Sequence, residues 1–192
     1  MGTKWVPSMS FPAAETPVSA RVPDWSREAK RAWSWDPGRS LIASFRAYEQ
    51  VMQGSPLERL LLRKLAILRH LFWSVVTGAE VPLGCRIEGG LLLPHPNGVV
   101  IHCETTIGPN CLIFQQVTLG TRGSRPGTPI IGGHVDIGAG ARILGGVRIG
   151  EHATIGANAV VLEDVPAGAT VAGVPARIVR AGTPGSRQRV EG

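Results

Sequence analysis

Aliphatic residues recur at every sixth position through the second half of the chain. Ile101, Ile107, Ile113, Leu119, Ile131, Ile137, Ile143, Ile149, Ile155 and Val161 share one register, with a single slot unfilled inside a Gly-rich stretch. Small or branched residues hold a second register two places earlier, at Val99, Thr105, Cys111, Val117, Val135, Ala141, Val147, Ala153 and Ala159. An α-helix advances a residue every 100° or so, so a strict period of six drifts around its surface and buries no single face. A triangular solenoid keeps that period: each hexapeptide is a short strand plus a turn, three make a coil, and the aliphatic side chains stack inward. Glycine directly follows Ile107, Leu119, Ile131, Ile137, Ile149 and Ile155, where a corner conformation unfavourable to a Cβ is expected.

The first half has another texture. Pro7, Pro12, Pro17 and Pro23 punctuate residues 1–24, which predicts a loose arm. From 25 to 79 the pattern is helical: Trp25, Ala29, Ala32 and Trp33 recur at helical spacing, Asp36-Pro37-Gly38 breaks the run, and Ser40 to Met52 resumes it. After Gly54, Ser55 and Glu58 have the spacing of a capping box, so a leucine-rich helix starts there and should stop near Gly78. The solenoid occupies 80–180, and 181–192 reads as a solvated tail.

Two places break the six-residue rhythm. Between Gln116 and Pro129 the stretch VTLGTRGSRPGT leaves the register and is expected to project as a loop, where sites on rigid scaffolds commonly lie. In LLLPHPNGVVIH the register slips by two residues around His95, a proline-flanked imidazole and a candidate acid or base. Nearly all the other repeat residues build the wall.

Composition narrows the partners. The chain of 192 residues is 43% hydrophobic, so its 25 Gly and 15 Pro serve ordered turns rather than disorder. A charge of +6 and a pI near 10.0 favour anionic partners. With one Tyr, four Phe and no basic run interleaved with aromatics, nucleic acid is not expected among them. Leu57 to Val76 is the most apolar segment, but Glu58, Arg59, Arg63, Lys64, Arg69 and His70 interrupt it, which predicts a packed amphipathic helix rather than a membrane span. Cys85, Cys103 and Cys111 show no C-x-x-C spacing and no even count, and no secretory signal is visible, so a reducing, cytoplasmic setting is expected.

The stretches PHPNGVVIH, FQQVTLG, IGAGARILGG and VAGVPARIV follow one another in that order between residues 80 and 179. Together they resemble the serine acetyltransferase branch of the hexapeptide-repeat acyltransferases. The resemblance implies a mainly β chain, a left-handed parallel β-helix with an N-terminal α-helical region. It implies a homotrimer with acetyl-CoA in the groove between neighbouring β-helices and an active site shared by two subunits. The family's catalytic histidine falls on His95 and its partner carboxylate on Glu80. In that role a neutral imidazole takes the proton of an acceptor hydroxyl, and a carboxylate orients the ring and stabilises the imidazolium. Direct transfer from the thioester is the simpler route, since no cysteine sits in the pattern of an acylated nucleophile.

For the CoA groove the resemblance points to Gly120, Thr121, Ala139 and Ala157. Arg142 and Arg177 are either phosphate partners or solvated surface charges. The acceptor side departs from the family. Relatives that use free serine carry an Asp just before the catalytic His, where this chain has Pro94, and an Arg-His pair where it has Gly127 and Thr128. Arg122 and Arg125 lie nearby and are candidate substitutes. Serine or a related small hydroxyl is therefore one expected acceptor, and a sugar, polysaccharide precursor or secondary metabolite the alternative. The helical region is shorter than in the hexameric members, so a trimer is expected first and a hexamer second. A γ-class carbonic anhydrase would need a close histidine pair that His95, His102, His134 and His152 do not supply, so no metal is expected. A non-catalytic trimeric scaffold is the remaining class, against which stand His95 and Glu80 beside the Gly-rich loop.

Overall fold

The computed structural model describes residues 18–30 and 34–182. After a 3-10 turn at Trp25–Glu28 come helices α1 (Pro37–Gln53) and α2 (Pro56–Thr77), then a series of strands two to four residues long. The strands stack into three parallel sheets. Sheet 1 contains Val100–Ile101, Thr118–Gly120, Arg142–Leu144 and Val160–Val161. Sheet 2 contains Arg86–Ile87, Thr106–Ile107, Ile130–Ile131 and Arg148–Ile149. Sheet 3 contains Leu112–Ile113, Asp136–Ile137, Thr154–Ile155 and Thr170–Ala172, closed by the antiparallel strand Arg177–Arg180. The chain visits the sheets in rotation, as a left-handed parallel β-helix with an N-terminal helical region.

The hexapeptide register is the core. Every aliphatic residue from Ile101 to Val161 in that register is at most 2% exposed, and the second register is buried with it. Burying each such side chain contributes roughly 1.5–3 kcal/mol, and strands this short have little else to hold them. The one polar member, Thr105, has a buried hydroxyl oxygen without a hydrogen-bond partner.

The glycines after the aliphatic positions have a different cause from the one expected. Gly108, Gly132, Gly138 and Gly150 do not adopt left-handed backbone; a Cβ there would meet the backbone of the next coil, at 2.7 Å from Gly133 N and 2.6 Å from Ala157 N in the cases of Gly108 and Gly138. Positive φ falls two residues later, at Asn110, His134, Gly140, His152 and Asn158. Asn and Asp tolerate that region better than most residues, and the histidines there are less usual.

The helical region follows its capping signals. Asp36 accepts from Arg39 N at the start of α1, the Ser55–Glu58 capping box opens α2, and left-handed Gly78 closes it. Among the described residues before α1 only Trp25–Glu28 is helical, and it is 3-10 rather than α; Ala32 and Trp33 lie outside the described residues. Leu41, Ile42 and Phe45 of α1 join the β-helix core, and Gly38 packs on the Leu93 carbonyl. Arg46 pairs with Glu28 at 3.0 Å and Glu49 at 2.8 Å and donates to the Ile87 and Glu88 carbonyls, tying the 3-10 turn and α1 to the first coil.

Helix α2 departs from the expectation of a packed apolar face. Ala66, His70 and Thr77 are its buried residues, while most of its leucines face outward. Among the described residues, no helix is long and apolar enough to cross a membrane. Of the expected loose arm, residues 1–17 lie outside the described residues. Residues 18–24 pack on the β-helix: Ala20 is buried, and the Asn110 side chain accepts from Asp24 N and donates to the Ser19 and Val22 carbonyls.

Candidate active site

Three corners join the three sheets, and the sequence-predicted residues divide among them. The corner between sheets 3 and 1 carries Pro94 and His95 on the first coil, Gln115 on the second, Ala139 on the third and Ala157 on the fourth. Backbone bonds align the coils there: Gln116 N donates to Asn97 O, Gly140 N to Gln115 O, and Asn158 N to Ala139 O. On the lower coils three residues cross this corner, as between buried Ile113 and Val117; on the first coil five residues, 94–98, cross between buried Leu93 and Val99. The two extra residues have nowhere to go but outward. They carry exposed His95 out of the wall, and Gly98, at φ 69°, turns the chain back into register. The register slip legible in the sequence is this bulge.

Glu80 extends sheet 1 upward, bridging Val100, with its N–H on Val99 O and its carbonyl accepting from Ile101 N. The sheet that Glu80 tops starts at the corner carrying His95. Among the described residues no hydrogen bond joins the two side chains, and both are exposed. Arg142 stands on the outer face of sheet 1, below Thr118, and its side chain reaches the Gly140 carbonyl at 3.5 Å. Arg177 opens the antiparallel strand at the bottom of sheet 3 and donates to Ala176 O.

Gly120 and Thr121 lead to the next corner, between sheets 1 and 2. There the loop folds back on the wall instead of standing free. Arg125 pairs with Asp164 at 2.7 Å, the same carboxylate oxygen caps Arg148 N, and Arg122 reaches the Leu162 carbonyl at 3.5 Å. Thr128 donates to Glu104 O. Both arginines offered as acceptor-binding substitutes thus have partners on their own coil stack. Within one chain, the loop residues Gly120, Thr121, Arg122 and Arg125 occupy a different corner from His95, Ala139 and Ala157.

The histidines are equally dispersed. His102 lies at the corner of the loop, accepting from Glu104 N, while His134 and His152 meet at the third corner with Nδ1 atoms 2.8 Å apart. Among the described residues no group of three or more His, Cys, Asp or Glu could hold a metal ion. Cys85 and Cys111 are buried, and burial pushes their thiols up to about 11 and about 12, far from thiolate character at neutral pH.

Two features at this site escaped the reading of the sequence. Gln115, beside His95's corner, has a buried side-chain oxygen without a partner, and Gln116 donates to Asn97 Oδ1 at 3.0 Å, bracing the bulge from below. The signal was the FQQ triplet at a corner otherwise built from small residues. His70 lies behind Glu80: its Nε2 is 2.8 Å from the Val81 carbonyl and its Nδ1 2.9 Å from Ser44 Oγ. Burial holds its pKa below the ordinary 6.5, although the bond to Val81 acts the other way.

Comparison with known proteins places this geometry in a class. Residues 128–163 match the family described as bacterial transferase hexapeptide (six repeats). Over 115 residues the chain is 44% identical to a serine acetyltransferase of Synechococcus elongatus, covering 59% of this chain and 47% of that one. Among solved structures it resembles the Brucella abortus serine acetyltransferase in complex with coenzyme A, with a TM-score of 0.66, 32% identity, and coverage of 78% of this chain and 58% of that one. A serine acetyltransferase in complex with cysteine matches 89% of this chain and 64% of its own, with a TM-score of 0.63 and 34% identity. The β-helix thus resembles the hexapeptide-repeat walls of that transferase family. Its specific likeness is to serine acetyltransferases. The chain spans about half the length of the curated relatives it matches.

Proposed function

We propose that the chain is an acetyl-CoA-dependent O-acetyltransferase of serine acetyltransferase type, with a β-helical catalytic part at 80–180 and a helical part at 25–79. The observation that carries this reading is the two-residue bulge that turns His95 out of an otherwise continuous wall, above a corner of small residues, Ala139 and Ala157. A wall that only had to fold has no use for that bulge.

In the proposed reaction His95 accepts the proton of the acceptor hydroxyl as the oxygen attacks the thioester carbonyl. Collapse of the tetrahedral intermediate breaks the C–S bond, and the imidazolium returns its proton to the departing CoA sulfur. Glu80 orients the ring and stabilises its charged form, closing on it once substrate is bound; hydrogen bonds at such sites are often long before that. Gly120, Thr121, Ala139 and Ala157 line the pantetheine groove, and Arg142 and Arg177 face the phosphates. Because the loop and His95 stand at different corners of one chain, the complete site takes its loop from a neighbouring copy, as a homotrimer provides. The two buried free thiols accord with a reducing, cytoplasmic setting.

The acceptor side supports a second reading. Pro94 offers no charge to an ammonium group, and Arg125, which could meet a carboxylate, is held by Asp164. An uncharged hydroxyl substrate such as a sugar or a pathway metabolite fits these surroundings as well as serine does. An acceptor screen with acetyl-CoA, following thiol release for serine, homoserine, amino sugars and oligosaccharides, separates them. Release with serine alone upholds the serine reading; release only with sugars upholds the other; no release with any hydroxyl contradicts the acetyltransferase.

A further inference from the structure

The strand that carries Glu80 is one ladder bond short. Glu80 lies opposite Val100, with its N–H on Val99 O and its carbonyl accepting from Ile101 N, so both of its backbone groups point to the coil below. One coil lower the ladder continues, because His102 N–H donates to Leu119 O. The equivalent residue on the top coil is Pro82, which has no N–H to give. Val81, next to Glu80 along the strand, carries its carbonyl on the side where no further coil lies. His70 of α2 fills that side, with Nε2 2.8 Å from Val81 O. The same strand also steadies the bulge, since Gly98 N, where the chain turns back after His95, donates to Gly78 O.

The imidazole is itself held at both nitrogens. A carbonyl only accepts, so Nε2 carries a hydrogen, and in the neutral ring Nδ1 is left to accept from Ser44 Oγ at 2.9 Å. Burial favours that neutral ring. Ser44 is fully buried in α1, and the Phe45 ring flanks the imidazole at 6.3 Å. Rotation of the ring would therefore break a bond on each side, in a place where water does not replace them. Glu80, by contrast, is exposed and has no hydrogen bond to His95, so the place of its carboxylate is set by the backbone that carries it.

We infer that His70 is a positioning residue of the site: by standing in for the ladder bond missing at Pro82, it holds the strand 78–81 and sets the direction from which the Glu80 carboxylate approaches His95. Its effect on turnover rests on the acetyltransferase reading; its hold on the strand does not.

The test compares the full wild-type chain with His70→Gln, whose amide can donate to Val81 O, and His70→Leu, which fills space without a donor. Thiol release from acetyl-CoA is followed with serine or, failing serine, with the hydroxyl that wild type accepts, and exchange of the Ile101 amide hydrogen is followed by NMR. For His70→Leu the expected kcat is about tenfold below wild type at an unchanged KM for acetyl-CoA, because a small displacement of a reacting group suffices for that. Ile101 exchange should be about tenfold faster, and His70→Gln should bring both values back toward wild type. Unchanged Ile101 exchange or unchanged kcat in His70→Leu overturns the inference. Equal losses of kcat in the two variants overturn it as well, since a donor to Val81 would then count for nothing. Wild type that releases thiol with no hydroxyl contradicts the acetyltransferase reading instead, and Ile101 exchange alone then decides whether His70 holds the strand. If His70→Leu does not fold, Ser44→Ala, which removes the partner of Nδ1, replaces it. Lowered kcat with faster Ile101 exchange sustains the inference there, and unchanged values overturn it.

Discussion

The two halves of this molecule use hydrophobic residues in opposite ways. In the β-helix every aliphatic slot points inward and finds its neighbour one coil away in the same chain, so the wall is complete by itself. In α2 the apolar side points outward, and among the described residues nothing covers it. The first arrangement makes a rigid frame that can hold a site to a fraction of an ångström. The second leaves most of its apolar surface in water, so α2 draws less stabilisation from burial than the wall does.

Substitutions should expose that contrast. Ile137→Asp places a carboxylate in the stacked core with nothing to pair it and should prevent folding at any protein concentration, read as loss of the folded circular dichroism signal. By contrast, His95→Ala alters an exposed bulge, so the fold and thermal midpoint should persist while acetyl transfer falls by about 10²–10⁴-fold; undiminished turnover would remove His95 from the chemistry.

A smaller effect is expected at the junction of the two halves. His70 is buried with a pKa below 6.5, so the unfolded chain binds its proton more readily than the folded one. Its contribution to stability is therefore fully present above about pH 6.5 and is lost as pH falls from there through the lower folded value. Denaturant titrations of His70→Asn should show a flatter pH dependence below 6.5 than wild type, and parallel curves would count against this assignment. The least perturbing probe is alkylation at neutral pH: Cys103, exposed, should take one label, while Cys85 and Cys111, held as thiols near 11 and 12, remain unmodified as judged by intact mass.

Much of this was legible in the residues. A period of six cannot be satisfied by a helix, so the β-helix and its core follow from spacing alone, and the slip at His95 marked where the wall would bulge. The Ser55–Glu58 capping box and Gly78 mark the ends of α2 because they satisfy backbone groups locally, whereas Asp36-Pro37-Gly38, which reads as a break, opens α1 with Asp36 as its cap. What spacing could not convey was long-range. The Asn110 side chain binding residues 19–24, and Asp164 holding Arg125, depend on which corners coincide in space. The outward face of α2 was misjudged for the same reason, since amphipathicity tells which side is apolar and not which side meets the body. Spacing suggests backbone twist at Gly108, Gly132, Gly138 and Gly150, whereas the close approach of the neighbouring coil demands them.

The claim on which the account turns is that His95's corner and the Gly-rich loop complete one site only between two copies. Mixing His95→Ala with Gly120→Trp tests it, since a Cβ at Gly120 has its nearest neighbours at 3.7 Å and the fold should tolerate the larger group while the groove does not. Each variant alone should be inactive, and co-refolded mixtures should regain acetyl transfer through interfaces that pair an intact His95 with an intact loop. Mixed assemblies, verified by native mass, that remain as inactive as their parents would contradict the account.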